Sequence, residues 1–284
     1  MTATALKSLA TMVSPWHIGR TLWRHRELAW QFTLREIHIR HKGSQLGFIW
    51  ALINPLSMLA LYWFVFGAIF GSKFGVLKDE SQLDYALALF LSLSLYHVFS
   101  ETLAWAPSLI ASNPNFVKKV VFPLEVLPVA KIGDTTFHLS VSLTLVLLGS
   151  TFGSTGLTWD VLWLPVLVFP LMMLALGLAW MLTAVGVFLR DIGQATAFVS
   201  SAVMFASAVP YSPAKIIHSP WPILWEILRY NPLLHLIDLA RHVLLWHEPM
   251  AWVKLGYVYA VAFAVLLAGH LCFSLFRRSF AEVI

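Results

Sequence analysis

The chain has 284 residues, 59% hydrophobic and only 12% charged, with a formal net charge of +5 and a mean hydropathy of +0.76. Charged residues make up about a quarter of an ordinary soluble domain, so this composition excludes one and makes the bilayer the solvent. The single cysteine, Cys272, excludes an internal disulfide and a cysteine-based metal cluster.

In chain order, residues 1–14 lack a continuous apolar core, so no cleavable signal peptide is expected. Ser14-Pro15 reads as a helix start, a capping hydroxyl followed by proline in the first turn. Trp16, Trp23, Trp30, Leu34 and Ile37 then share a narrow arc at about 100° per residue, beside a polar stripe of Arg20, Arg24, Gln31 and Arg35. That pattern predicts an amphipathic helix lying in the membrane interface, the alternative being an ordinary helix packed on another element. Gly19 is a candidate break that would divide it in two.

Apolar runs of about 20 residues, enough to cross about 30 Å of hydrocarbon, occur at 46–70, 85–105, 126–149, 162–189, 192–210 and 252–276. Their flanks set the orientation. Lys7, Arg20, Arg24, Arg26, Arg35, Arg40 and Lys42 precede the first span, Lys118 and Lys119 follow the second, Arg190 follows the fourth, and Arg277 and Arg278 follow the last. Lys73 and Lys78, on the other side, are opposed by Asp79, Glu80 and Asp84. The positive-inside rule places both termini in the cytoplasm. Basic residues at membrane flanks also argue against nucleic acid as a partner. The expected fold is an all-α polytopic membrane protein, with an interfacial amphipathic region over 1–44 and one six-span domain over 45–284.

Catalytic and metal motifs do not emerge. There is no HExxH, no nucleophile elbow and no glycine-rich phosphate loop ending in Lys-Ser or Lys-Thr. "WHEPM" lacks the second histidine of a metalloprotease helix. His97 and His138 read as structural groups on apolar helices. Lys131, Asp134 and His138 fall on one face of the third span, where ionisable groups are expensive and often functional. They suggest either a proton relay or a Lys131–Asp134 pair one turn apart, near enough to the edge for lysine to snorkel. Aromatic residues crowd the first span, among them Trp50, Tyr62 and Phe66, and recur in the fifth as Phe198 and Phe205. They are belt residues or, turned inward, a surface for sugar rings.

The segment from 221 to 245 has the length of a span but carries Glu226, Arg229, His235, Asp238, Arg241 and His242, with Pro232 in its middle. One more crossing would put the Arg277-Arg278 tail on the wrong side, and two would need more residues. It therefore predicts two short helices broken at Asn231-Pro232, dipping into the outer leaflet and returning. Glu226 with Arg229, and Asp238 with Arg241 and His242, are neighbours that offset one another's charge. Leu233, Leu236, Ile237 and Leu244 form the apolar face.

Four strings in order, "LREIHIRHKGSQLGFIWALINPLSMLALYWFVFGAIFG", "NPNFVKKVVFPLEVLPV", "FLRDIGQ" and "RYNPLLHLIDLARHVLL", resemble the membrane subunit of ATP-binding-cassette exporters for bacterial surface polysaccharides across nearly the whole chain. Asn54-Pro55 is more similar to the O-antigen and teichoic-acid branch than to the capsule branch. The resemblance implies a homodimer in the inner membrane driven by two copies of a separate ATPase. ATP and Mg would bind on that partner, with no cofactor and no catalytic residue on this chain. It implies an undecaprenyl-linked glycan as substrate, in a channel lined by the first and fifth spans. The loop 113–125 would be the coupling segment, with Asn113, Pro114, Phe116, Lys118, Lys119 and Glu125 meeting the ATPase. Val117, Val120 and Phe122 would complete an apolar knob there, while Lys118 and Lys119 also enforce topology. Leu124 stands where relatives carry arginine. Arg190 and Asp191 match the turn after the fourth span, where Asp191 is placed to cap the next helix. The re-entrant pair, 213–246, would gate the outer end through Glu226, Arg229, Asn231, Pro232, His235, Asp238 and Arg241. The rival expectation is a proton-coupled carrier using Lys131, Asp134 and His138, without an ATPase.

Overall fold

The computed structural model describes residues 15–71, 73–76, 80–118, 122–154, 156–189, 191–217 and 220–283. Ser14, Lys119, Val120 and Arg190 lie outside them. All regular elements among the described residues are helical.

The N-terminal region forms two helices, α1 (Pro15–Arg24) and α2 (Arg26–His41). The break falls at His25, whereas Gly19 continues the helix. The aromatic arc divides in space. Trp16, Trp23 and Trp30 are exposed, whereas Ile18, Thr33 and Ile37 are buried against the bundle. The region is thus both an open aromatic face and a packed strap.

Among the described residues, five helical stretches are long and apolar enough to cross a membrane. The first is a Gly47–Ile49 turn, then α3 (Trp50–Tyr62), then a π-helical segment over Trp63–Ile69. Next come α4 (Gln82–Trp105), α6 (Val126–Ser150) and α7 (Leu164–Gly186), the last preceded by a Trp159–Trp163 turn. The fifth is α12 (Trp252–Phe276). Short α5 (Pro114–Val117) lies between α4 and α6, and α13 (Phe280–Val283) closes the chain. The expected fifth span is represented by α8 (Ile192–Ala206), whose 15 residues reach about 22 Å at 1.5 Å per residue, short of the hydrocarbon thickness. Three short helices, α9 (Ala214–Ile217), α10 (Pro222–Leu228) and α11 (Pro232–Leu244), follow it.

α4 is the hub, largely buried by the other helices, as expected of a helix apolar on all sides. Ser81 starts it with a capping box, accepting from the Asp84 N–H while Asp84 accepts from the Ser81 N–H. α7 and α12 make the closest helix pair. A Cβ on Gly177 would lie 2.5 Å from the Val265 carbonyl oxygen, and one on Gly269 would overlap the Gly177 carbonyl. Small residues let the two backbones touch, and in lipid such van der Waals contact replaces the hydrophobic drive. α3 behaves differently: its stretch is almost wholly unburied by the rest of the chain. Of the α8 residues, Thr196 alone is buried, and α10 has no buried residue.

Candidate functional site

Three groups of sequence-selected residues occupy distinct places. At one end of the bundle, Phe116 of α5 stacks on Phe122, with ring centroids 4.6 Å apart, and both rings meet Phe32 of α2 at 5.4 and 5.5 Å. The Arg35 guanidinium lies 5.0 Å from the Phe32 ring centre and 5.7 Å from that of Phe116, within cation–π range. The described aromatic part of the expected apolar knob, Phe116 and Phe122, is therefore seated on the chain's own α2. The Asn113 side chain donates to the Leu109 carbonyl at 2.9 Å, closing the turn before α5, whose first residue is Pro114. Glu125 is buried; its carboxylate pairs with Arg277 and its carbonyl accepts from the Trp180 indole at 3.4 Å. Lys118 is exposed, and Lys119 and Arg190 lie outside the described residues. Asp191 stands at the start of α8 without a side-chain capping bond. Its carboxylate is exposed, so the macrodipole is the contribution left to it.

Two members of the ionisable trio on α6 take partners on α2, and His138 pairs with Asp134 on its own helix. Lys131 pairs with Glu36 at 2.7 Å, and Asp134 with Arg40 at 3.3 Å and His138 at 3.4 Å. Arg40 also binds Glu101 of α4 at 2.5 Å. The expected Lys131–Asp134 pair does not form, because α2 runs along α6 and offers Glu36 and Arg40 at closer range. Thr33 fixes that alignment: its hydroxyl donates to the Ala130 carbonyl at 3.3 Å, over Gly133, where a Cβ would lie 2.5 Å from it. The charges line a cavity of about 360 Å³ with Ile39, Ala104 and Trp105. Glu36 and Glu101 are residues the sequence left without a role, and Arg40 entered there only as a topology determinant. Their signals were an i, i+4 acid–base pair on α2 and an acidic residue closing an apolar span.

The aromatic candidates part into two sets. Trp50, Phe198 and Phe205 stand on the open face, with the Trp50 indole donating to the Ser44 hydroxyl at 2.8 Å. Tyr62 and Phe66 turn into the chain's own core, ring centroids 6.4 Å apart, and Phe66 meets Tyr85 at 6.3 Å. The π segment sets this register. Its wider turn keeps Tyr62 and Phe66 inward while Trp63, Phe64, Ile69 and Phe70 remain exposed. Gly67, the buried residue of that segment, faces Gln82 closely.

At the opposite end, α10 and α11 break at Asn231-Pro232, and the Asn231 side chain accepts from the Leu233 N–H at 3.0 Å. Glu226 and Arg229 pair at 2.7 Å. The His235 ring nitrogen lies 2.6 Å from the Arg229 carbonyl, and Tyr257 of α12 donates to the Tyr230 carbonyl at 2.7 Å. Leu233, Leu236, Ile237 and Leu244 are buried. Asp238 is buried among Lys254 at 3.2 Å, His242 at 3.4 Å and Arg241 at 3.7 Å. Arg241 is fully buried. Burial pulls its guanidinium down to about 10, against the opposing charge of Asp238, so it stays protonated at neutral pH. Burial also pulls His242 down, but hydrogen bonds and charges from Asp238 and Glu248 outweigh it and leave the imidazole above its ordinary value. Among the described residues no three His, Cys, Asp or Glu side chains are placed to hold a metal.

The described residues thus hold a packed strap, an open apolar face and a hairpin whose second helix is buried and whose first is not. A family model for the ABC-2 type transporter matches residues 27–245. The O-antigen export system permease protein RfbA of Myxococcus xanthus is 27% identical over 266 residues, covering 93% of this chain and 98% of that protein. RfbA of Klebsiella pneumoniae is 23% identical over 258 residues, 89% and 93% of the two chains. The polysialic acid transport protein KpsM of Escherichia coli is 22% identical over 246 residues, 83% and 88%. The match spans the 113–125 segment, the open face and the α10–α11 hairpin alike, and the chain belongs to the ABC-2 type transporter family.

Proposed function

We propose that this chain is the transmembrane subunit of an ATP-driven exporter that moves an undecaprenyl-linked polysaccharide, O-antigen in the first place, across the bacterial inner membrane. Two copies enclose the channel. Two copies of a separate nucleotide-binding subunit hydrolyse ATP with Mg, and this chain binds no cofactor itself. Both termini face the cytoplasm, and membrane lipid surrounds the remaining spans.

The observation that carries the reading is the open face. An apolar helix stretch left almost wholly unburied by its own chain needs lipid or another subunit, and α8 likewise presents Phe198 and Phe205 outward. A second copy facing these helices makes a passage whose wall is aromatic, which suits the apolar faces of sugar rings. The seated Phe32, Phe116 and Phe122 cluster supports the coupling role of 113–125, since a push on α5 reaches α2 directly. O-antigen precedes capsule or teichoic acid because the RfbA relatives cover more of the chain. The proton-carrier reading is weakened by the pairing of Lys131, Asp134 and His138, since each already has a partner near the α2 end of α6.

Purification from its own cells tests the reading. The expected result is co-purification of an ATPase, with accumulation of a lipid-linked glycan when the chain is deleted. Recovery without any ATPase would overturn it. Charge reversal at Lys118 and Lys119 is expected to lower export with membrane insertion intact, and unchanged export would remove their coupling role.

A further inference from the structure

α8 ends in an unusual way. Its last turn is followed by Ser207, Ala208 and Val209, all fully buried, and Ala208 adopts φ of 49°, the left-handed region usually left to glycine. The last carbonyls of a helix have no partner within it and must find one elsewhere. Here the partners come from the hairpin that follows. The Asn231 amide donates to the Ala206 carbonyl at 3.2 Å and to the Ser207 hydroxyl at 2.9 Å. The buried Arg241 guanidinium donates to the Ala208 carbonyl at 3.1 Å and the Tyr211 carbonyl at 3.3 Å. Its charge carbon stands 4.8 Å from the Phe74 ring centre, with Asp238 as counter-charge at 3.7 Å. Leu234 of α11 packs with Ala208 and Ile216 beneath these bonds.

We propose that Asn231 and Arg241 are positioning residues that weld the outer end of α8 to α11, so that the channel-lining helix and the gate move as one body. The inference rests on the gating reading above and deepens it. An independently swinging flap would have to strip a fully buried guanidinium and a half-buried amide from the end of α8 and leave its carbonyls unpaired, a cost that low-dielectric surroundings make large. A displacement entering α8 at its Asp191 end instead arrives at the gate. Motion of the hairpin against α12 instead has to release the Lys254–Asp238 pair at 3.2 Å and the Tyr257 bond to the Tyr230 carbonyl at 2.7 Å, contacts that join the two. The short α8 fits this arrangement, since the welded hairpin completes the thickness that 15 residues do not reach.

Spin labels on cysteines at Ser201 and Ile227, in a Cys272→Ser background, read the weld directly. The Ser201–Ile227 distance is expected to be the same in nucleotide-free and ATP-trapped complexes, while an Ile227–Val253 distance changes. A resolved shift between Ser201 and Ile227 would overturn the weld. If neither distance changes, the weld stands and the gating reading falls. Hydrogen exchange provides the residue-level arm. Arg241→Gln is expected to speed exchange of the Ser207–Val209 amides at least about tenfold, with Arg241→Lys in between and α4 amides unchanged as the folding check. Asn231→Ala carries the same measurement with the guanidinium in place. Wild-type exchange rates in both variants would refute the assignment.

Discussion

Asp134 governs the electrostatics of the strap. It is 3% exposed and shared between Arg40 and His138, so removing it leaves Arg40 in a partly desolvated place with Glu101 alone. Breaking a buried pair from one side costs about 3–5 kcal/mol, and Asp134→Ala is expected to lower the unfolding free energy in detergent by about 3 kcal/mol. Glu36→Gln removes the more exposed Lys131 pair and is expected to cost under about 1 kcal/mol. Denaturation of the two variants followed by tryptophan fluorescence distinguishes them, and equal losses would show that Asp134 is not the centre of the network. His242 makes a second prediction. Its folded-state pKa is raised, so its contribution is fully present below the unfolded value of about 6.5 and is lost as pH rises through the higher folded value. Thermal stability is expected to fall as pH rises above the unfolded value of about 6.5, with a shallower fall in His242→Gln. An identical slope in the variant would assign the dependence to other groups.

Among the elements, α7 and α12 set the rigid part of the bundle. Their approach through Gly177 and Gly269 leaves no space for a side chain, whereas Gly256 on α12 has open space around its missing Cβ. Gly177→Val is expected to destabilise by at least about 2 kcal/mol through overpacking against backbone, and Gly256→Ala to change stability by no more than about 0.5 kcal/mol. Melting temperatures in detergent test the pair; comparable small effects would mean that the interface relaxes. By contrast, α2 is held through side chains. Thr33, Glu36 and Arg40 each reach α6 or α4, and Phe32 reaches the coupling segment. Movement at α5 therefore has a continuous packed route to the second and third spans.

For the whole molecule, the uneven burial of its spans is the informative quantity. α4 is enclosed, whereas the α3 stretch, α8 and α10 leave their apolar residues open. In a Cys272→Ser background, cysteine at Leu52 or Phe198 is expected to yield disulfide-linked dimers in the membrane, and cysteine at Val253 is not. Monomers alone from the first two positions, or dimers from all three, would sink the proposed arrangement of two copies about the open face.

Composition and periodicity alone determined the solvent, the helical class and the bounds of the last span, since a run of apolar residues long enough to cross hydrocarbon has few other stable forms. The Asn231-Pro232 break and the Glu226–Arg229 pair were legible for a similar reason: capping and i, i+3 contacts are local and follow from spacing. The partners of Lys131 and Asp134 were not. Glu36 and Arg40 lie some ninety residues earlier, and helix packing rather than spacing brings them closer than the neighbours on α6. Nor was the inward turn of Tyr62 and Phe66 visible, because a π segment changes the period on which face assignments rest. The same holds for Arg241. On the sequence it is a charge offset by Asp238; in the fold its guanidinium closes the end of another helix. Local rules name an element and its ends, but only tertiary packing decides which buried charge meets which buried acceptor, because a desolvated polar group takes the nearest partner in space.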